Sequence, residues 1–175
     1  MSAEISLPAS LEGVELVRSV RTPARMEYTY TAGVATTRFL KGIAQGKILG
    51  ERAEGGKVYV PSRGADPQQG VPTTEQVDLP HVGTLVSFCV VNVAFYGQGM
   101  EIPYTSGLIL LDGADLALMH LIQECPVEDV RIGMRVEAVW VDDADLAPNL
   151  ESIRYFRPNG EPDVAVTQPG EGVTW

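Results

Sequence analysis

The chain has 175 residues, 45% of them hydrophobic, which is ordinary for a globular protein and enough for one domain plus an appendage. Lys and Arg number 13 against 23 Asp and Glu, a formal net charge of -10. That balance argues against a general nucleic-acid binder, whose affinity rests on cationic side chains.

Residues 1–31 read as an extended N-terminal arm. Pro8, Pro23 and scattered Leu and Val give weak periodicity and little to bury. Near its end, Glu27 to Thr31 has strand character, and Tyr28 and Tyr30 alternate there. Such a pair can add to a sheet edge or pack on a neighbouring subunit.

Residues 32–80 form a second region. Ala32 to Gly46 is predicted to be a short helix, because Val34, Phe39, Leu40, Ile43 and Ala44 approximate one apolar face. Thr31 is the expected N-cap and Gly46 the stop. Gly42 in the middle costs roughly 1 kcal/mol relative to Ala. The face has no obvious sequence neighbour to cover it, so it is expected against another element or another chain. Lys47 to Arg52 and Lys57 to Val60 then read as two strands joined by a hairpin at Ala53 to Gly56. Pro61, Arg63-Gly64, Pro67, Gly70 and Pro72 then mark a turn-rich segment, and the 34-residue stretch from Lys47 to Pro80 as a whole is poor in core. A segment of that kind needs a staple, a metal or a partner. Both cysteines, Cys89 and Cys125, lie outside it.

Residues 81–158 carry the main β unit. Thr84 to Phe95 is expected to be a long, bent strand buried on much of both faces. Tyr104 to Leu111 is a second strand, ended by the tight-turn pair Asp112 and Gly113. Ala117 to Ile122 is a third. Arg135 to Val141 alternates Val136, Ala138 and Trp140 against Glu137, Val139 and Val141. Ser152 to Phe156 closes the set. Five strands fit an OB-like Greek-key barrel, and a sandwich fits almost as well, so the pattern alone leaves the choice open. Residues 159–175, with Pro162, Pro169, Gly170 and Gly172, read as a C-terminal tail.

No apolar stretch reaches bilayer length; the longest are broken by Asn92, Gln98 or Asp112. The N-terminus shows no basic region followed by an apolar core. With the two cysteines read as buried, reduced thiols and a disulfide as the alternative, the expected compartment is the cytoplasm. No catalytic constellation stands out. His81 and His120 read as structural or surface residues, with a general base as the alternative. Ser87 and Ser106 have no nucleophile motif around them. Asp142 to Asp145 lacks the glycine and distal glutamate of a calcium loop. Gly97, Gln98 and Gly99 lack the spacing and following Lys of a phosphate loop.

Several short motifs occur in an order that resembles a known family. They are Phe39-Leu40-Lys41-Gly42-Ile43, Gly46-Lys47-Ile48, Val58-Tyr59-Val60-Pro61 with Arg63, Gly83-Thr84-Leu85, Pro103-Tyr104, Leu111-Asp112-Gly113, Ile132-Gly133-Met134-Arg135-Val136 and Phe156-Arg157-Pro158. The family is the bacterial and archaeal group of acyl-CoA-associated proteins with a rubredoxin-like zinc ribbon followed by an OB fold, a domain of unknown function. The resemblance spans about residues 38–158. It implies a mainly β chain: a five-stranded OB-fold barrel preceded by a helix and a ribbon-like hairpin segment. The family's ribbon usually carries two Cys pairs. Here the corresponding stretches, Arg52 to Gly56 and Ala65 to Gly70, contain neither Cys nor His. Tetrahedral zinc needs four such ligands, or nearly so. The segment is therefore expected to be a degenerate ribbon without zinc, and no cofactor is expected.

Family members associate with thiolase-like proteins, including sterol-carrier-type homologues. The resemblance, with Val90-Val91-Asn92-Val93 and Ile109 to Asp115, is nearest to the type paired with steroid side-chain aldolases. It implies a non-catalytic OB-fold accessory subunit of a thiolase-like enzyme acting on acyl-CoA or steroid-CoA. The catalytic residues would come from the partner, with no nucleic-acid or membrane partner. Phe39, Leu40 and Ile43, with Tyr28 and Tyr30, are the expected partner contacts. Phe95, Tyr96, Met100 and Tyr104 lie on or beside a Gly-rich loop between two strands, where OB folds frame ligands. They would border an acyl chain or adenine ring, or simply close the barrel core. Among the early cations Arg38, Lys41, Arg52, Lys57 and Arg63, Arg63 is the expected CoA contact; solvated or interface charges are the alternative. A free-standing acyl-CoA-binding module and a nucleic-acid-binding OB domain are the alternative functions.

Overall fold

A computed structural model describes residues 13–14, 26–73, 75–94 and 98–166. The chain divides into two compact units, Met1–Thr31 and Ala32–Trp175. In the first unit, Glu27 to Tyr30 form no strand, contrary to expectation, and Tyr28 and Tyr30 are exposed. Alternating tyrosines make a strand only where another strand offers its backbone groups, and none among the described residues pairs with them.

The second unit opens with helix α1 (Gly33–Ile43). Its N-cap is Ala32 rather than Thr31, and no side chain caps it. Its apolar face packs on strand β1 (Ile48–Arg52), which supplies the neighbour that sequence periodicity did not reveal. Gly42 is at this contact: a Cβ there would lie 2.7 Å from the Leu49 side chain. The helix accepts the cost of a glycine because the approach leaves no room for a methyl. Phe39 and Ile43 are 1% and 0% exposed. They belong to the chain's own core, so the expectation that they face a partner is corrected. Leu40 is half-buried against the same core.

Strand β1 pairs with β2 (Val58–Tyr59), as the hairpin reading required. It also pairs along its whole length with β3 (Glu75–Leu79), in the sheet order β2-β1-β3. Strand β3 falls in the stretch read as turns. Its sequence offers only Val77 and Leu79 to bury, and its strand character comes from the ladder on β1. Lys47 with Asp78 and Arg52 with Glu75 flank that ladder at 3.3 and 3.2 Å. Exposed pairs of this kind add at most about 1 kcal/mol.

Strands β4 (Val82–Val91), β5 (Tyr104–Leu111), β6 (Leu118–Ile122), β7 (Arg135–Trp140) and β8 (Ile153–Pro158) close a barrel in the order β4-β5-β6-β8-β7. All pairs are antiparallel except β6 with β8. This is the OB arrangement, and it removes the sandwich alternative. Strand β4 ends four residues before Phe95, after a bulge between Leu85 and Ser87. Leu85, Ile109, Leu111, Leu118, Ile122, Val136, Ile153 and Phe156 fill the barrel and join the α1 cluster in one core. Beyond β8 the chain stays attached through residue 164. Val164 N–H donates to Gly133 O at 2.8 Å, and Arg131 pairs with Asp163.

Gly83 marks the tightest point of barrel closure. It faces Leu111 on β5 and Val136 on β7, and an added Cβ would stand 2.5 Å from the Leu110 carbonyl oxygen. Backbone cannot yield as a side chain can. Gly83→Ala is expected to destabilise the chain by about 1–3 kcal/mol, the range of an overpacked core. Urea unfolding of the variant and wild type measures this; equal midpoints would show that the strands spread freely.

Candidate interaction surface

Strands β4, β5 and β6 contain no Asp, Glu, Lys or Arg. Alternation along a strand sends every second residue outward. On β5, Thr105, Gly107, Ile109 and Leu111 point inward, which leaves Tyr104, Ser106, Leu108 and Leu110 outside. Residues directly opposite in the ladder share a face. One row therefore runs Ser87, Leu108, Met119, and the next Cys89, Ser106, Leu121. Val91 stands beside Tyr104. Met119 is 65% exposed and Leu108 36%. The result is an outer sheet face without charge on a chain of net charge -10.

Concave regions lie at both ends of this face. One, of about 400 Å³, is lined by Val86, Ser87, Leu108, Asp115, Leu116 and Ala117. The Asp115 carboxylate on its rim is already engaged, accepting the Val58 N–H at 2.8 Å. The other is an open groove of about 420 Å³ where the β4–β5 loop meets the turn after β6. Met100, Pro103, Tyr104, Ile122 and Val127 give it apolar walls, and Glu101, Gln123 and Cys125 give it polar ones. Its volume falls in the range of small-molecule sites.

Of the expected ligand contacts, Tyr104 lines this groove and is half-buried. Phe95 and Tyr96 lie outside the described residues. Arg63 follows β2 in the ribbon and is exposed, and it is not among the groove's lining residues. The structure thus does not bring Arg63 to Tyr104. Arg63, Arg38 and Lys41 are exposed and have no carboxylate partner among the described residues.

The outer-face residues Leu108, Met119 and Leu121 escape a reading based on individual residue types. Their signal is the run of uncharged residues at positions that strand alternation turns outward.

No nucleophile and base meet among the described residues. His81 Nδ1 accepts the Trp140 Nε1–H at 3.1 Å, and burial pushes its pKa down. His120 Nδ1 accepts the Leu121 N–H at 2.9 Å, its ring lies edge-on to Phe156, and burial lowers it as well. Both imidazoles are held neutral as acceptors. Cys89 and Cys125 are free thiols, and burial raises the Cys125 pKa.

Among the described residues no three His, Cys, Asp or Glu side chains come together as a metal site. The two buried carboxylates of the ribbon have partners within it. Buried Glu51 accepts from Gly64 N–H at 2.9 Å and from the Thr73 hydroxyl at 2.6 Å. Buried Asp66 accepts from Gln68 N–H at 2.8 Å and from the Tyr59 hydroxyl at 3.0 Å. These bonds staple the segment through side chains.

The architecture is a five-stranded OB barrel with an appended ribbon-like sheet and an outer face without charge on β4, β5 and β6. Residues 76–141 match the family model described as the ChsH2 C-terminal OB-fold domain. A DUF35 domain-containing scaffold protein of Methanocaldococcus jannaschii is 36% identical over 96 residues, covering 53% of this chain and 67% of that protein. The chain belongs to the DUF35 family. Among solved structures, the Ltp2-ChsH2(DUF35) aldolase aligns with a TM-score of 0.55 at 20% identity, covering 71% of this chain and 94% of the compared one. A DUF35 protein of unknown function from Sulfolobus solfataricus aligns with a TM-score of 0.53 at 19% identity, covering 72% and 84%. Both share the fold. No helix among the described residues is long and apolar enough to cross a membrane.

The Asp66 bonds carry a pH dependence. The Gln68 N–H and then the Tyr59 hydroxyl hold its carboxyl below the ordinary value of 3.8. The stabilisation is full above that value and is lost as pH falls through the lowered one. Tyr59→Phe removes one donor and raises the folded-state value. Acid-induced loosening of the ribbon, followed by amide exchange, should then begin at higher pH than in wild type. An unchanged acid profile would show that the Tyr59 bond does not stabilise the carboxylate.

Proposed function

We propose that this chain is the non-catalytic OB-fold subunit of a thiolase-like enzyme acting on acyl-CoA, with retro-aldol cleavage of a steroid side chain as the reaction. The observation that carries the reading is the uncharged outer face of β4, β5 and β6 on an otherwise acidic chain. Lone exposed apolar residues are normal on a surface, but a contiguous patch marks an interaction site. The likeness to a chain of the Ltp2-ChsH2(DUF35) aldolase and to a scaffold protein supports a subunit role. So does the absence of a nucleophile–base pair among the described residues, which leaves the chemistry to the partner.

On this reading the groove beside Tyr104 completes the partner's acyl pocket. Its Met100, Pro103, Ile122 and Val127 walls suit an apolar acyl or steroid body, and Glu101 and Gln123 suit its polar edge. The OB face has no Lys or Arg to neutralise phosphates, so nucleic acid is disfavoured. A free-standing acyl-CoA-binding module is the second reading, favoured by the groove together with the exposed cations Arg38, Lys41 and Arg63.

Co-expression with a thiolase-like protein encoded beside it, followed by size-exclusion chromatography with mass measurement, separates the two. A stable heteromer, with little CoA-thioester binding by the chain alone, is expected. A chain that ignores the thiolase and binds CoA thioesters by itself would establish the second reading instead. The ribbon works without metal on this account. Elemental analysis should therefore find zinc far below one per chain, and near-stoichiometric zinc would contradict it.

A further inference from the structure

We infer that the outer face of β4, β5 and β6 is the seat of a partner protein's uncharged, apolar surface, placed so that the partner also roofs the groove at Tyr104. The inference rests on the subunit reading above and adds to it where the partner sits and what chemistry it presents.

Charge selects the occupant. The chain carries a net charge of -10, yet the rows Ser87–Leu108–Met119 and Cys89–Ser106–Leu121 have none. A second copy would bring its own net charge of -10 and be repelled on approach. An anionic lipid surface would repel the chain for the same reason. A small ligand is a poor match, because such ligands are held in pockets that bury most of their surface, and this face is an open sheet. An uncharged protein surface meets none of these objections. Met119, 65% exposed, projects from the face, and the depression beside it is lined by Val86, Ser87, Leu108, Leu116 and Ala117, with the Asp115 carboxylate on its rim turned to Val58 N–H.

Area fixes the extent. Three strands about 4.8 Å apart, with some eight residues rising about 3.3 Å each, give a face of roughly 14 by 26 Å. That is less than the ~800 Å² per partner of a standard interface. The surface must therefore continue past the strands. It does so at the Tyr104 end, where Val93, Met100 and Ile102 of the β4–β5 loop are exposed, at 75%, 41% and 41%. Met100 and Tyr104 also line the groove, with exposed Glu101 between Met100 and Ile102, so a partner that covers this end of the face also covers the groove's rim.

The test uses the full chain and the co-expressed thiolase-like protein. Met119→Glu and Leu108→Glu each place a charge on the face. Val34→Glu, at an exposed position on α1, is the control. Each face variant is expected to weaken the complex at least about tenfold, and the control to change it less than about twofold. Cys89 is exposed on the β4 strand of the face and gives a readout that needs no variant. In the wild type, maleimide labelling mapped to Cys89 should be fast in the free chain and blocked in the complex. If wild type binds but the folded face variants bind equally, or Cys89 stays reactive, the docking face is wrong and the subunit reading survives. If wild type does not bind the thiolase, the subunit reading fails and takes this inference with it. If the chain alone is a dimer that Met119→Glu dissociates, a second copy holds the face and the inference is overturned.

Discussion

The ribbon depends on a clamp between Val58 and Asp115. Val58 N–H donates to the Asp115 carboxylate, and Asp115 N–H donates to Val58 O, both at 2.8 Å. Val58 lies on β2, an edge of the three-stranded sheet, and Asp115 in the β5–β6 connection of the barrel. The clamp uses a free strand edge that would otherwise leave backbone groups unpaired. It joins the three-stranded sheet to the barrel. The bond from Trp140 to His81, at the start of β4, secures the opposite end of the ribbon. A segment of about thirty residues with so small an apolar content does not hold a fold by burial alone. Here the holding groups are Asp115, Asp66 and Glu51, and each carboxylate so used is unavailable for chemistry.

The same economy governs the barrel's charges. Arg135 bonds both oxygens of Asp112, at 2.7 and 2.6 Å, as well as Glu161 and the Thr84 hydroxyl. Its guanidinium pKa is driven further up, first by Asp112. Arg157 bonds Glu137 and Glu124, and Glu124 in turn accepts from the Tyr155 hydroxyl. These networks gather on β7, β8 and the segments beside them. The barrel is thus polar and internally paired on one side and uncharged on the other. Hydrophobic burial inside does not require this division, since the inward residues of β7 and β8 are as apolar as those of β5. It is a property of the outer surface, and outer surfaces are where partners are selected.

How much of this was legible in the sequence varied with the locality of the cause. The bounds of β5 could be read directly, because Asp112 and Gly113 end it by local turn chemistry and its apolar run is unbroken. The helix and the β1–β2 hairpin were equally local. Strand β3 was not legible, since a ladder on β1 creates it and no residue within it announces that ladder. Phe39 and Ile43 showed the opposite difficulty. Their helical face was visible, but not its cover, because β1 folds back on the helix only in three dimensions. An apolar face with no neighbour in sequence is weak grounds for a partner contact when the next strand of the same chain can supply it. The groove was half legible: Tyr104 marked it, whereas Cys125, Gln123 and Val127 came from a turn with no apparent connection to that loop.

The groove and the face belong to one argument about why a subunit without its own chemistry has a cleft. A pocket that binds a ligand alone encloses it, and this groove is open, with Met100 and Ile102 of the β4–β5 loop exposed beside it. Left in water, such apolar walls gain nothing from staying apart. Covered by a protein surface, the same walls become one side of an enclosed channel, and contacts that a single chain makes weakly become strong when water is excluded. The neutrality of the adjoining strands then has a physical purpose. A charge on Met119 or Leu108 would have to be desolvated each time the cover closed, without a counter-charge to offset it. An uncharged face beside an unroofed apolar groove is the arrangement expected where closing one completes the other.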